Sequence, residues 1–222
     1  MKRYGSLIGL RTEFEKWYII LHRNVFPGVL EQITRSNISN YSIFLREGML
    51  FSYYEYVGTD FDADMAEMAA DTLTRDWWEL CTPMQKRLET AREGEWWTTI
   101  EEVFHMGEIK KPFREARRFG SVIDLRPEHE LEYKKLHTAV WPGVLRQIQD
   151  SNIQNYSIFL HEGRLYSYFE YMGDDFAGDM GRMARDPETQ RWWDICKPMQ
   201  KKLPTTREDE WWADMTEVFH HD

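Results

Sequence analysis

The sequence predicts an α+β fold in which one module, ordered strand, helix, strand, strand, helix, strand, is written twice in tandem. Three observations predict it. The 222-residue chain matches itself from Arg3 on Arg118 to its end without a gap, and about three fifths of the aligned positions are identical. Each copy holds roughly 100 residues, enough for a core of its own, whereas a solenoid unit must share one with its neighbours. Hydrophobic spacing also switches between a strand period and a helix period in the same order in both copies.

The first strand is the short apolar segment Tyr4 to Leu10, repeated as Phe119 to Leu125. A helix over 13–22 follows, with Phe14, Trp17, Tyr18 and Leu21 at three- and four-residue spacing. Pro27 and Pro142 interrupt it, and a second helical piece runs through Val29 and Ile33 to end near Ser36-Asn37. Two strands come next, 41–45 and 50–56, joined by Arg46-Glu47-Gly48 as a hairpin with glycine at the turn. Phe61, Met65 and Met68 mark a further helix. After a break near Asp71-Thr72, Trp77, Trp78 and Cys81 lie on another that ends by Pro83. An extended run from Trp96 to His105 closes the copy. This order is the ferredoxin-like βαββαβ unit, an antiparallel sheet with helices on one face. The module boundaries are 1–106 and 118–222, with a short charged linker at 107–117. A bare sheet face would leave apolar side chains wet. The two sheets are therefore expected to pack together as an intrachain dimeric αβ-barrel, a monomer that is its own pseudo-dimer and could assemble further.

Composition narrows the function. A net charge of -10 argues against nucleic acid, which needs a basic footprint. No apolar run approaches the roughly 20 residues of a membrane helix, and the first residues lack the apolar stretch of a signal peptide. Two cysteines, Cys81 and Cys196, give no disulfide framework and suit a reduced, cytoplasmic setting. Ten Trp, several of them paired, are unusual. A paired Trp either fills a core or offers a flat platform to the C–H face of a sugar.

The chemistry gathers on a few repeated residues. Tyr18 and His22 lie four apart on one helix face, as do Tyr133 and His137, and each helix ends just past the histidine. An imidazole there can point into a cleft and move a proton near neutral pH, and a tyrosine can orient it or carry a second proton. Tyr41 and Tyr156 share side-chain parity with Ile43 and Leu45 and their counterparts, and serve either the core or a cleft. Trp77-Trp78 and Trp192-Trp193 are adjacent, so one of each pair belongs to the core and the other to a cleft. His220-His221 raises the idea of a metal, but no second set of ligands stands at suitable spacing and no metal is expected. Nucleophile elbow, phosphate loop and dinucleotide fingerprint are all missing.

Taken in order, these residues resemble the L-rhamnose mutarotase family. The shared pattern is Tyr-x-x-x-His, an aromatic-Pro pair, Asn-Tyr-Ser-Ile, Trp-Trp and a closing Glu-Val-Phe-His. Here it stands as Tyr18, His22, Phe26-Pro27, Asn40-Tyr41-Ser42-Ile43, Trp77-Trp78 and Glu102 to His105. In the second copy it is Tyr133, His137, Trp141-Pro142, Asn155-Tyr156-Ser157-Ile158, Trp192-Trp193 and Glu217 to His220. The resemblance implies a single module that dimerises through its sheet and interconverts sugar anomers without a cofactor. It also implies histidine as the acid–base group, with the tyrosines, tryptophans, Phe26 or Trp141, and Asn40 or Asn155 around the sugar. Two departures stand out: this chain is a fused pair, and Phe26 replaces the family's tryptophan. Two other functions fit the same scaffold, a cofactor-free isomerase, cyclase or oxygenase for an aromatic or polyketide-like compound, and a sugar-binding module without catalysis.

Overall fold

The structure, a computed structural model, describes residues 1–107 and 116–222. Most of the linker at 107–117 lies outside the described residues. Contacts divide the chain into two compact units, Met1–Ile100 with Thr216–Asp222, and Glu101–Met215.

The elements of the first repeat are β1 (Lys2–Leu10), α1 (Glu15–His22), α2 (Pro27–Arg35), β2 (Ile38–Arg46), β3 (Met49–Tyr56), α3 (Phe61–Ala70), α4 (Thr72–Cys81), β4 (Gln85–Lys86) and β5 (Thr98–Met106). The second repeat gives β6 (Arg117–Leu125), α5 (Glu130–His137), α6 (Pro142–Asp150), β7 (Ile153–His161), β8 (Arg164–Tyr171), α7 (Phe176–Arg185), α8 (Pro187–Cys196), β9 (Gln200–Lys201) and β10 (Ala213–His221). The α+β order expected from the sequence is therefore present twice, with the short strands β4 and β9 added. No helix among the described residues is long and apolar enough to cross a membrane.

The sheet of the first unit is antiparallel. β1 pairs β3 along its length, β3 pairs β2, and β1 takes β5 on its other edge from Leu7↔Thr98 to Gly5↔Ile100. β4 occupies the same edge at Gly9 and Leu10. The free edge of β2 is filled by residues 216–221 of β10. The second unit repeats this plan, with β6 between β8 and residues 213–215 of β10, and with residues 101–106 of β5 on β7. The sequence repeat and the compact unit are thus different partitions of the chain. Each unit contains the second part of the other repeat's last strand.

Local chemistry explains the element ends. Pro27 and Pro142 sit at the first helical position of α2 and α6, where a missing N–H costs nothing. The Asp71 carboxylate accepts the Thr74 amide at 2.8 Å and starts α4, and Asp186 does the same for α8 at 2.7 Å. The β2–β3 turn has φ of 50° at Glu47 and 71° at Gly48, a pair of positive angles that matches the right-handed twist of a tight hairpin. Strand parity sorts the rest. Ile8, Leu10, Ile43, Leu45 and Leu50 face the helices and join Tyr18, Val29, Met68, Trp77 and Cys81 in one core. Leu7, Phe44 and Phe51, of opposite parity, are also almost wholly buried.

One expectation fails in α1. Trp17 was placed on the apolar stripe, yet it is 63% exposed. The chain makes a single 3-10 turn at Thr12–Phe14 before α1 begins, so the buried line of α1 is Tyr18 and His22, and Trp17 falls a quarter-turn away. The second copy carries Glu132 at this place, as a wet position allows.

Candidate active site

Each unit has a cleft between its sheet and its helices, with cavity volumes of about 390 Å³ in the first and about 290 Å³ in the second. Its floor depends on a bulge. Between Ser39 and Ser42, β2 runs one residue longer than β3, and Asn40 takes φ of 49°. An extra residue reverses strand parity, so Ile38 before the bulge and Tyr41, Ile43 and Leu45 after it all reach the helix side. Asn155, at φ 47°, does the same in β7. Asn tolerates this left-handed backbone better than a branched residue would. The Asn40 amide donates to Glu55 at 3.0 Å, and Asn155 to Glu170 at 2.9 Å. These two asparagines shape the floor and are not among the residues lining either cleft.

The histidines are held alike. His22 Nδ1 lies 2.9 Å from the backbone oxygen of Tyr18, and His137 Nδ1 is 2.9 Å from that of Tyr133. A carbonyl oxygen can only accept, so Nδ1 carries the proton and Nε2 keeps its lone pair. His22 stacks on Tyr18 at 3.8 Å between ring centres and meets the edge of Trp77 at 5.2 Å. His137 stacks on Tyr133 at 4.0 Å and meets Trp192 at 5.5 Å. Burial outweighs the backbone hydrogen bond and lowers both histidines to about 4, so both are neutral at neutral pH.

Burial acts oppositely on the phenols. It pushes Tyr18 and Tyr133 well above the ordinary tyrosine range, and raises Tyr41 and Tyr156 as well. These hydroxyls therefore keep their protons and act as donors. The Cys81 and Cys196 thiols are pushed up to about 12 by burial, which leaves them without thiolate character and outside nucleophilic chemistry.

The aromatic pairs differ in burial but do not divide between core and cleft. Trp77 and Trp192 are buried in the cores, while Trp78 is 42% exposed and Trp193 is partly exposed. All four line the clefts. Phe26 and Trp141 stand behind, edge-on to Trp77 at 5.3 Å and to Trp192 at 5.5 Å.

Two features escaped the sequence reading. Gln85, on β4, accepts from the Trp96 indole at 2.7 Å, which turns its amide nitrogen towards the Tyr18 hydroxyl at 3.4 Å. Gln200 accepts from Trp211 at the same 2.7 Å and acts on the Tyr133 hydroxyl. The signal was the match of Gln85 with Gln200 and of Trp96 with Trp211 between the copies. The second feature is a phenyl ring. Phe219 lies edge-on to His22 at 6.0 Å and to Tyr41 at 5.2 Å, and Phe104 takes this place beside His137 at 5.8 Å. Each cleft is thus completed by the closing Phe of the opposite repeat. Within that motif His220 and His105 turn to Ser42 and Ser157, each at 2.9 Å. No group of His, Cys, Asp and Glu that could hold a metal is found among the described residues.

Comparison with known proteins identifies the repeated module. The family model described as L-rhamnose mutarotase matches twice, at residues 3–106 and 118–221. A curated L-rhamnose mutarotase of Oceanobacillus iheyensis is 32% identical over 109 residues, 99% of its own length and 48% of this chain. That of Opitutus terrae is 34% identical over 106 residues, 98% of its length and 47% of this chain. Relatives of half the length are what a tandem duplication of their module predicts. Among solved structures, one described as a candidate monooxygenase of Fusobacterium nucleatum covers 99% of this chain and 93% of its own, with a TM-score of 0.59 at 10% identity. Another, from Lactobacillus acidophilus, covers 100% and 96% with the same TM-score of 0.59 at 5% identity. At such identities the likeness concerns the fold alone, the α+β class of the dimeric αβ-barrel proteins.

Proposed function

The chain belongs to the L-rhamnose mutarotase family, and from that premise we propose that its clefts interconvert the α and β anomers of L-rhamnose or a related 6-deoxy sugar. One observation carries the reading. In both clefts an imidazole that burial keeps neutral lines a cavity walled by tryptophan, with its Nδ1 held at a backbone carbonyl.

Anomerisation needs a proton taken from the anomeric hydroxyl and one given to the ring oxygen. His22 or His137 takes the first through Nε2. Tyr18 or Tyr133, each receiving a hydrogen bond from its glutamine, gives the second as the C1–O5 bond breaks. The open-chain aldehyde rotates about C1–C2 and presents its other face. Reversal of both transfers closes the ring as the opposite anomer, and the proton count is unchanged. Each positioned group is worth about 10²- to 10⁴-fold in rate. Tyr41 and Tyr156 offer hydroxyls to the sugar, and the indole faces pack on its C–H side. Two buried, unpaired thiols accord with a reducing cytoplasm.

Saturation-transfer NMR between the two anomeric proton signals tests the reading. Faster exchange of L-rhamnose with protein than without is expected, and an unchanged rate with L-rhamnose, L-fucose and similar sugars would falsify it. The largely apolar lining also suits a flat aromatic compound, as an oxygenase or cyclase would bind. Tryptophan fluorescence titrated with sugars against aromatic ligands separates the two.

A further inference from the structure

The clefts differ on the floor. Tyr54 lines the first, and Phe169 holds its place in the second. The two rings are seated alike. Tyr54 meets Tyr41 edge-on at 5.6 Å and stacks on Tyr4 at 5.1 Å, and Phe169 meets Tyr156 at 5.7 Å and stacks on Phe119 at 4.9 Å. The packing is therefore retained and the change at this place is chemical: Tyr54 brings a phenol hydroxyl that Phe169 lacks. Among the described residues no protein hydrogen bond satisfies the Tyr54 or the Tyr41 hydroxyl. A half-buried donor in a cleft, in that state, is free to meet a ligand acceptor. Burial and the neighbouring phenols raise Tyr54 above the ordinary tyrosine range, so it stays protonated. The first cavity is also the larger, about 390 against about 290 Å³.

Ring hydroxyls at C2, C3 and C4 are common to a 6-deoxy sugar and its parent hexose, and the residues common to both clefts can serve them. The group that varies between these sugars is the exocyclic carbon, methyl or hydroxymethyl. The floor group that varies between the clefts is phenyl or phenol. A phenyl wall suits a methyl and leaves a hydroxyl without a partner, whereas a phenol supplies one. Resting on the mutarotase reading of both clefts, we propose that the first extends the substrate range to aldohexoses that keep the 6-hydroxyl, while the second is confined to the 6-deoxy form.

The test uses single-site proteins. His137→Ala leaves the first cleft working and His22→Ala the second. Anomer exchange is measured with L-rhamnose and with L-mannose, its 6-hydroxylated counterpart. The ratio of kcat/KM for L-mannose to that for L-rhamnose is expected to be about tenfold higher in His137→Ala than in His22→Ala, the worth of one neutral hydrogen bond. Adding Tyr54→Phe to His137→Ala should bring its ratio down to that of the second cleft, and Phe169→Tyr in His22→Ala should raise it. Both changes reproduce a ring the other copy already packs, so folding is expected to survive. Ratios equal to within about twofold, or a ratio that Tyr54→Phe leaves unmoved, overturn the proposal. If the wild type exchanges neither sugar, it is the mutarotase reading that fails. The division of sugars is then read from binding by tryptophan fluorescence, with the same tenfold ratio expected and the same equality against it.

Discussion

In the first cleft His22 sits between Tyr18 and the edge of Trp77, with Gln85 behind the tyrosine. In the second, His137, Tyr133, Trp192 and Gln200 occupy the same places, with ring distances that agree within 0.3 Å. Around this shared centre the walls diverge. Tyr54 of the first is matched by Phe169 in the second, and Thr82 by Lys197, whose ammonium lies 5.0 Å over Trp193 and 5.5 Å over Trp211, while behind the walls Phe26 is matched by Trp141. The difference separates two demands. On the proposed reaction, the histidine and tyrosine set needs one fixed tautomer and one dry contact shell. The wall needs only to fill space, so it can change its chemistry while keeping its rings.

The largest test of that shared centre removes both histidines. His22→Ala/His137→Ala should lower catalysed anomer exchange about 100-fold or more, as loss of a general base does. Retention of most of the rate would move the chemistry elsewhere. Next comes the tryptophan behind each histidine. Trp77→Ala and Trp192→Ala, both at 6% exposure, should each lower stability by about 3–5 kcal/mol in urea unfolding. Unequal losses would show that Phe26 and Trp141 support them differently.

The histidines also predict a pH profile. Both are lowered from 6.5 to about 4 by burial, so the unfolded chain binds their protons at higher pH than the folded one. Their contribution to stability is complete above pH 6.5 and is lost as the pH falls towards 4, on the order of 3 kcal/mol for the well-buried His22. Activity should persist below pH 6 and fail only near 4, where Nε2 takes a proton. NMR titration of the ring protons checks this, and two histidines that titrate more than a unit apart would break the likeness between the clefts. The smallest effect is expected at the rim. Lys197→Thr should cost about 0.5–1 kcal/mol of stability in thermal or urea unfolding, the worth of an exposed cation over an indole, and Thr82→Lys should gain no more than that.

What the sequence disclosed follows from how local each feature is. The pairs Tyr18/His22 and Tyr133/His137 were legible because four-residue spacing on a helix sets a common face by itself. The order of elements was legible from period and turn residues. The resemblance implies Asn40 and Asn155 around the sugar, whereas their positive φ and their bonds to Glu55 and Glu170 belong to a bulge that only strand pairing reveals. Gln85 touches Tyr18 across 67 residues, and no local pattern carries such a contact. Strand β5 reads as one extended run whichever neighbour it pairs, so its division between β1 and β7 was invisible. Hence the chain repeats by module, while each cleft borrows its phenylalanine from the other repeat.

The central claim is that one chain carries two independent proton-transfer clefts, and anomer exchange of L-rhamnose in the wild type, His22→Ala and His137→Ala tests it most directly. The account predicts that each single variant keeps a measurable part of the rate and that the two parts add up to the wild-type rate. Complete loss from either single change, or no loss from one of them, would contradict it.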